Sequence, residues 1–109
     1  MTKINVGIIG KNFGYKLIYH VIQRIKKFNI IAFCFKNKGD LKTINKIKIY
    51  TDWKKMLRNK KINAVIISSP PETHLEIIKT AIKKKIHIFC EKPVTKSYKQ
   101  VMQVTNLLK

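Results

Sequence analysis

Arginine, acidic residues, cysteine and long apolar runs are all scarce in this chain of 109 residues. Of its 24 basic residues, 22 are lysine and 2 are arginine. Arginine is the side chain that grips phosphates bidentately and reads bases, so its near absence argues against a nucleic-acid partner. Acids number only 5, which leaves a net charge of +19 and keeps the nucleic-acid reading open as an alternative. The two cysteines, Cys34 and Cys90, form neither a metal-binding nor a CxxC spacing, so no metal site is expected. Each ends an apolar, strand-like run, as buried free thiols in a reducing compartment do. No stretch approaches the roughly 18 consecutive apolar residues of a membrane span. The opening run from Met1 to Gly10 is too short for a signal peptide. A single soluble, cytoplasmic domain is the expectation, with little room for a second.

What is present is a chain with 45% hydrophobic residues, enough to bury a core. Isoleucine (19) outnumbers leucine (6) and valine (6) combined, and Lys, Ile and Asn (8) make up 49 of 109 positions. A coding sequence biased toward A and T accounts for all three enrichments at once. The lysines are spread along the chain, as at Lys26, Lys27, Lys46, Lys48, Lys60, Lys61 and Lys83 to Lys85, which reads as a solvated surface. Repulsion among them should cost stability at low salt.

Strand-like and helix-like segments alternate. Ile4 to Ile9 is a nearly continuous apolar run, the pattern of a strand covered on both faces. From Gly14 the period changes: Leu17, Val21 and Ile25, with Ile18 and Ile22 beside them, predict a helix ending near Phe28. Ile30 to Phe35 predicts a second strand and Lys48 to Tyr50 a short third. Thr51 or Asp52 can cap a short helix with Trp53, Met56 and Leu57 in the core. Ala64 to Ile67 predicts the fourth strand, stopping at Ser68-Ser69-Pro70-Pro71. Thr73 and Glu76 have capping-box spacing for a helix buried through Leu75, Ile78 and Ile82. Lys83 to Lys85 suit that helix's negative end. Ile86 to Cys90 predicts the fifth strand, and Ser97 can cap a last helix with Val101, Val104 and Leu108 inward. This alternation predicts an α/β fold, a doubly wound, Rossmann-like parallel sheet of order 3-2-1-4-5 in a three-layer αβα arrangement.

In such a sheet ligands bind beyond the strands' carboxyl ends, where the order reverses. Three unusual sequences fall on that rim: Gly10-Lys11-Asn12-Phe13-Gly14, Ser68 to His74, and Cys90-Glu91-Lys92-Pro93. The first is an imperfect glycine-rich turn. Gly10 can make the tight turn, Gly14 can serve helix-sheet packing one residue late, and Asn12 stands where a second glycine would let a pyrophosphate approach. Taken alone, the turn is as readily a plain strand-helix connection. His74 near a helix N-terminus can pack, cap or act, and Glu72 reads as a partner of the helix N-terminus.

Val6-Gly7-Ile8-Ile9-Gly10, the run from Ala64 to Ile67 into Ser69-Pro70-Pro71-Glu72-Thr73-His74, and Ile88-Phe89-Cys90-Glu91-Lys92-Pro93 carry a specific likeness. In order and spacing the chain resembles the N-terminal half of the Gfo/Idh/MocA family of NAD(P)-dependent oxidoreductases. The resemblance implies that Gly10, Lys11, Asn12, Phe13 and Gly14 line a cofactor pyrophosphate. It implies that Ser68, Ser69, Pro70, Pro71 and His74 lie beside the nicotinamide ribose, and that Glu91 and Lys92 sit at the nicotinamide end. Lys92 would be the catalytic lysine, an ammonium able to stabilise a developing alkoxide or relay its proton. NAD-preferring relatives carry an acid after the second strand. Here Lys36, Asn37 and Lys38 follow Phe35, which favours NADP over NAD.

The likeness covers only the cofactor half. The expectation is a chain without the last strand of the nucleotide domain and without the C-terminal substrate and oligomerisation domain, so that the fifth strand becomes an open edge that invites self-association or a partner subunit. Three readings follow. The first is the nucleotide-binding half of an enzyme moving hydride to or from a sugar-like or cyclitol carbon, inactive alone. The second is a non-catalytic dinucleotide-binding module, and the third a basic nucleic-acid-binding protein.

Overall fold

The computed structural model describes residues 3–37, 39, 41–91 and 98–108. Five strands run parallel: β1 (Ile4–Ile9), β2 (Phe28–Cys34), β4 (Ile47–Tyr50), β5 (Ala64–Ile67) and β6 (His87–Cys90). A two-residue strand, β3 (Thr43–Ile44), pairs antiparallel with β4 and extends the edge, giving the order β3-β4-β2-β1-β5-β6. Without β3 this is the expected 3-2-1-4-5 order. The added strand makes the sheet mixed, and its cause is local: Asn45 and Lys46 both take positive φ (51° and 67°), the conformation of a tight hairpin turn.

The apolar strands part their side chains between two cores. Ile9, Ala32, Cys34, Val65 and Ile67 pack with Met56, Leu57, Ile77, Ile78 and Ala81. These come from α2 (Trp53–Leu57) and α3 (His74–Lys83), and Val104 of α4 (Tyr98–Leu108) joins them. Val6, Ile8, Ile30, Phe33, Phe35, Ile49 and Ile66 pack on the opposite face against Tyr15, Ile18, Tyr19 and Ile22. Three layers result. The strands serve both cores by the alternation of their side chains, and in β2 a bulge opposite Val6/Gly7 shifts the register: Val6 pairs with Ile30 and Gly7 with Ala32, leaving Ile31 extra.

The first helix departs from the sequence reading. It is π-wound over Lys11–Tyr19 and ends in one α turn, α1 (His20–Ile22). The Tyr15 amide donates to the Gly10 carbonyl at 3.1 Å, an i→i+5 bond. That winding turns Tyr15, Ile18, Tyr19 and Ile22 to the sheet, where Tyr19 meets Phe33 edge-on at 5.0 Å. Leu17, Val21 and Ile25, expected inside, are exposed. In α3 the buried residues are His74, Ile77, Ile78 and Ala81, while Leu75 and Ile82 are only half-buried. Asp52 caps α2 as expected, its Oδ1 accepting from the Lys54 amide at 2.9 Å. Thr73 does not cap α3. A 3₁₀ turn over Pro71–Thr73 already places Thr73 in helical conformation, and its hydroxyl donates backward to the Pro70 carbonyl at 2.7 Å. Ser97 lies outside the described residues, and so do Lys38 and Asp40 of the turn after β2.

Candidate functional site

The carboxyl ends of β1, β2, β5 and β6 are laced together by backbone bonds. The Gly10 amide donates to the Cys34 carbonyl (2.9 Å), the Ser68 amide to the Ile9 carbonyl (2.8 Å) and the Glu91 amide to the Ile67 carbonyl (2.8 Å). The Ser68 hydroxyl adds a second bond to the Ile9 carbonyl at 2.8 Å. This close lacing explains both glycines of the turn. Gly10 has φ +120°, and a Cβ there would stand 2.8 Å from the Ser68 carbonyl carbon. A Cβ on Gly14 would strike the Ser68 hydroxyl and lie 2.8 Å from the Ile8 Cγ2 methyl. Gly14 thus packs the helix onto the sheet, as the sequence reading assigned it.

Above this rim opens a cleft of about 1270 Å³. Gly10, Lys11, Lys36, Ser68, Ser69, Pro70, Pro71 and Glu91 line it, which brings together eight of the sequence-selected residues. Gly14 lies behind the turn. The backbone of Asn12 and Phe13 belongs to the first π-helical turn, and Lys92 and Pro93 lie outside the described residues. Cys34, Asn37, Thr51, Trp53 and Ile77 also line the cleft and were not singled out as site residues. For Trp53 the expectation was core. It is half-buried, touching the α2-α3 core and facing the cleft, because α2 starts immediately beyond the carboxyl end of β4. Its position after a strand's carboxyl end was the available signal. Lys11 sits over the Phe35 ring with Nζ 5.9 Å from the centroid, at the end of the cleft that holds Lys36 and Asn37.

His74 does not face the cleft; it is 1% exposed. Its Nε2 lies 2.6 Å from the Ser69 carbonyl, which can only accept, so Nε2 carries the proton. Nδ1 is then the acceptor facing the Cys90 thiol at 3.3 Å. The ring pins the Ser69-Pro70 turn to the end of β6. Both cysteines are free: Cys34 is buried and Cys90 half-buried, where both were expected buried. Burial, with Asp52 adding its negative charge, pushes the Cys34 thiol up to about 12. Burial and then Glu91 push Cys90 up to about 11.

Lining and volume both suit a dinucleotide: the cleft brings together Lys11 and Lys36, the glycine turn, and a proline bend beside the Glu91 carboxylate. Comparisons agree. The oxidoreductase family with an NAD-binding Rossmann fold matches residues 4–109. The oxidoreductase YrbE of Bacillus subtilis is 38% identical over 100 residues, covering 87% of this chain and 29% of that protein. The crystal structure of myo-inositol 2-dehydrogenase from Lactobacillus plantarum superposes with a TM-score of 0.86 at 24% identity, over 98% of this chain and 33% of that one. GenD2 from gentamicin A biosynthesis, crystallised with NAD, superposes at 0.86 and 18% identity, over 98% and 32%. The chain therefore spans about a third of the length of these relatives. With the strand order, the glycine turn and the match over residues 4–109 in agreement, this chain belongs to the Gfo/Idh/MocA family of oxidoreductases and is its NAD-binding Rossmann domain.

Proposed function

We propose that this chain binds NADP, and NAD less tightly, as the cofactor half of an oxidoreductase acting on a hydroxyl or carbonyl carbon of a sugar-like or cyclitol substrate. The observation carrying this reading is the single cleft that joins the glycine turn, the double-proline bend and Glu91. Gly10, Lys11, Asn12, Phe13 and Gly14 would receive the pyrophosphate at the start of the helical run. Lys11 and Lys36, with Asn37 next in the chain and also lining the cleft, would hold a 2′-phosphate, since no carboxylate follows β2 before the cleft's Thr51 and Trp53 among the lining residues. Ser68, Ser69, Pro70 and Pro71 would flank the nicotinamide ribose, with His74 fixing the Ser69 carbonyl from behind. Bound dinucleotide supplies the hydride chemistry. Lys92, directly after Glu91, would hold a proton at the reacting oxygen and stabilise negative charge there.

The substrate class rests on the relatives, which include a myo-inositol 2-dehydrogenase and a D-galactose-1-dehydrogenase. Substrate-facing groups would come from a further domain, so the 109-residue chain alone should bind cofactor without turnover. Strand β6 edges the described sheet and Phe89 on it is 66% exposed, a surface suited to self-association or to a partner subunit. Among the described residues no helix is long and apolar enough to cross a membrane. We place the protein in the cytoplasm, where both thiols stay reduced.

Titration with NADPH and NADH, read by cofactor fluorescence, tests the reading. NADPH should bind more tightly, and Lys36→Ala should erase that difference while leaving NADH unchanged. Equal affinities in the unmodified chain would remove the NADP preference, and failure of both cofactors to bind would overturn the reading itself.

A further inference from the structure

The lysines look scattered along the sequence, but the topology gathers many of them. Because β1, β2, β5 and β6 run parallel and adjacent, the segments entering them share one rim, opposite the cofactor cleft. Those segments carry Lys3 before β1, Arg24, Lys26 and Lys27 before β2, Arg58, Lys60 and Lys61 before β5, and Lys83, Lys84 and Lys85 before β6. All ten are exposed. No acid occurs in any of these segments. The four described carboxylates, Asp52, Glu72, Glu76 and Glu91, all follow carboxyl ends of strands, on the other rim. A compositional excess of lysine explains how many there are. It does not explain why, among the described residues, no carboxylate side chain stands at this end of the molecule.

The rim is also held in shape. The Asn5 amide donates to Asn63 Oδ1 (3.0 Å), Asn5 Nδ2 to the Lys61 carbonyl (2.9 Å) and Asn29 Nδ2 to Asn5 Oδ1 (3.1 Å). The Ile4 amide donates to the Lys27 carbonyl and the His87 amide to the Asn63 carbonyl, both at 2.9 Å. Four strands at about 4.8 Å spacing set these basic segments across a front of roughly 15 Å.

We infer that this amino-end rim binds the phosphodiester backbone of nucleic acid without reading its sequence, independently of the cofactor cleft. Lysine ammonium groups are point charges that neutralise phosphates, and asparagine amides between them suit phosphate and sugar contacts. Only two arginines and no exposed Trp, Tyr or Phe side chain stand on the rim among the described residues, where His87 is the exposed ring at the start of β6, so neither base readout nor a base-stacking platform is expected. An anionic membrane is the poorer match: among the described residues no Trp stands on the rim, Phe28 at the start of β2 is half-buried, and Ile25 is the exposed large apolar residue of the entering segments.

The test is fluorescence anisotropy of the full 109-residue chain with a labelled DNA duplex of about 24 base pairs. Two quadruple variants lose the same charge: Lys60→Gln, Lys61→Gln, Lys84→Gln and Lys85→Gln on the rim, and Lys42→Gln, Lys54→Gln, Lys55→Gln and Lys99→Gln elsewhere. Glutamine avoids placing acids at the negative end of α3. The unmodified chain should lose on the order of a hundredfold in affinity between about 50 and 200 mM salt, the response of roughly four phosphates neutralised. The rim variant should bind at least about tenfold more weakly with a flatter salt dependence, and the control should stay within about threefold. Equal losses in both variants would show net charge acting without a site and would overturn the inference. So would tighter binding to phosphatidylserine vesicles than to duplex, or no duplex binding at the lower salt. NADPH affinity, measured alongside, should not change in the rim variant, which separates failure of this surface from failure of the cofactor reading.

Discussion

At the carboxyl ends of β1 and β5 two glycines are pressed against Ser68, Gly10 against its backbone and hydroxyl and Gly14 against its hydroxyl. At the amino ends of the same strands, amide side chains bridge gaps that the backbone leaves open. One end has no room for a Cβ. The other is spaced by Asn5, Asn29 and Asn63 and faces solvent. The difference fits the role proposed for the carboxyl end: a turn that is to accept a phosphate needs bare backbone at close approach, whereas entry into a strand needs only its first amides satisfied. Substitutions should therefore be costly at one rim and mild at the other, and they should differ in whether cofactor binding falls with stability.

The largest effect is expected at Gly10. Alanine there must hold φ +120° and push against the Ser68 carbonyl carbon, which cannot swing away. Gly10→Ala should cost about 3 kcal/mol in urea unfolding and abolish NADPH binding. Gly14→Ala should cost about 2 kcal/mol, since it meets a hydroxyl and a methyl instead of backbone. Ser68→Ala removes a hydroxyl that a Cβ at either glycine would meet, so in a double-mutant cycle it should recover a larger share of the Gly14→Ala loss than of the Gly10→Ala loss, where the Ser68 carbonyl carbon and the positive φ remain. Full recovery at Gly10 would mean that the side chain, and not the strand end, sets the constraint.

How far the sequence speaks for this site depends on which force decided each element. Ile4–Ile9 and Ala64–Ile67 have the bounds expected, because apolar runs flanked by polar or turn residues leave a buried parallel strand little choice. The fold and the carboxyl rim followed from them, with the glycine turn and the proline bend meeting in one cleft. The helix after Gly10 did not follow. A periodicity argument assumes α winding, and Leu17, Val21 and Ile25 satisfy it; the π run lets Tyr15 and Tyr19 take the sheet instead, where they stack among Phe33 and Phe35. Tertiary packing of aromatics outweighed local pattern. β3 was missed because Asn45 and Lys46 lack the glycine that marks a hairpin. The lysine rim was missed for a different reason: charge spacing along the chain says nothing of spacing in space until the strand order is known.

The two rims also differ in their response to pH. At the carboxyl end of β2, Cys34 has its ionisation raised from the ordinary 9.0 to about 12. An unfolded thiol releases its proton near 9 while the folded one keeps it, so the unfolded state binds fewer protons above that value. The stability this contributes is complete below pH 9 and is lost as pH rises toward 12. Relative to Cys34→Ala, the unmodified chain should lose about 2 kcal/mol between pH 8 and about pH 10.5. Lysine titration is common to both proteins and cancels in the difference. No matching loss should appear when the variant alters the amino rim, where no thiol lies.

The smallest effect is expected at that amino rim, and it is the sharpest check on the contrast. Asn63→Ala removes the acceptor for the Asn5 amide, a bond of 3.0 Å at an exposed position, while the Asn63 backbone keeps its bonds to Asn5 and His87. Water can replace the lost side-chain oxygen. The cost should be about 1 kcal/mol in urea unfolding, with NADPH and NADH affinities unchanged. A loss as large as that of Gly14→Ala would mean the asparagine bridges hold the strand ends in register, so that the amino rim, like the carboxyl rim, is part of what shapes the cleft.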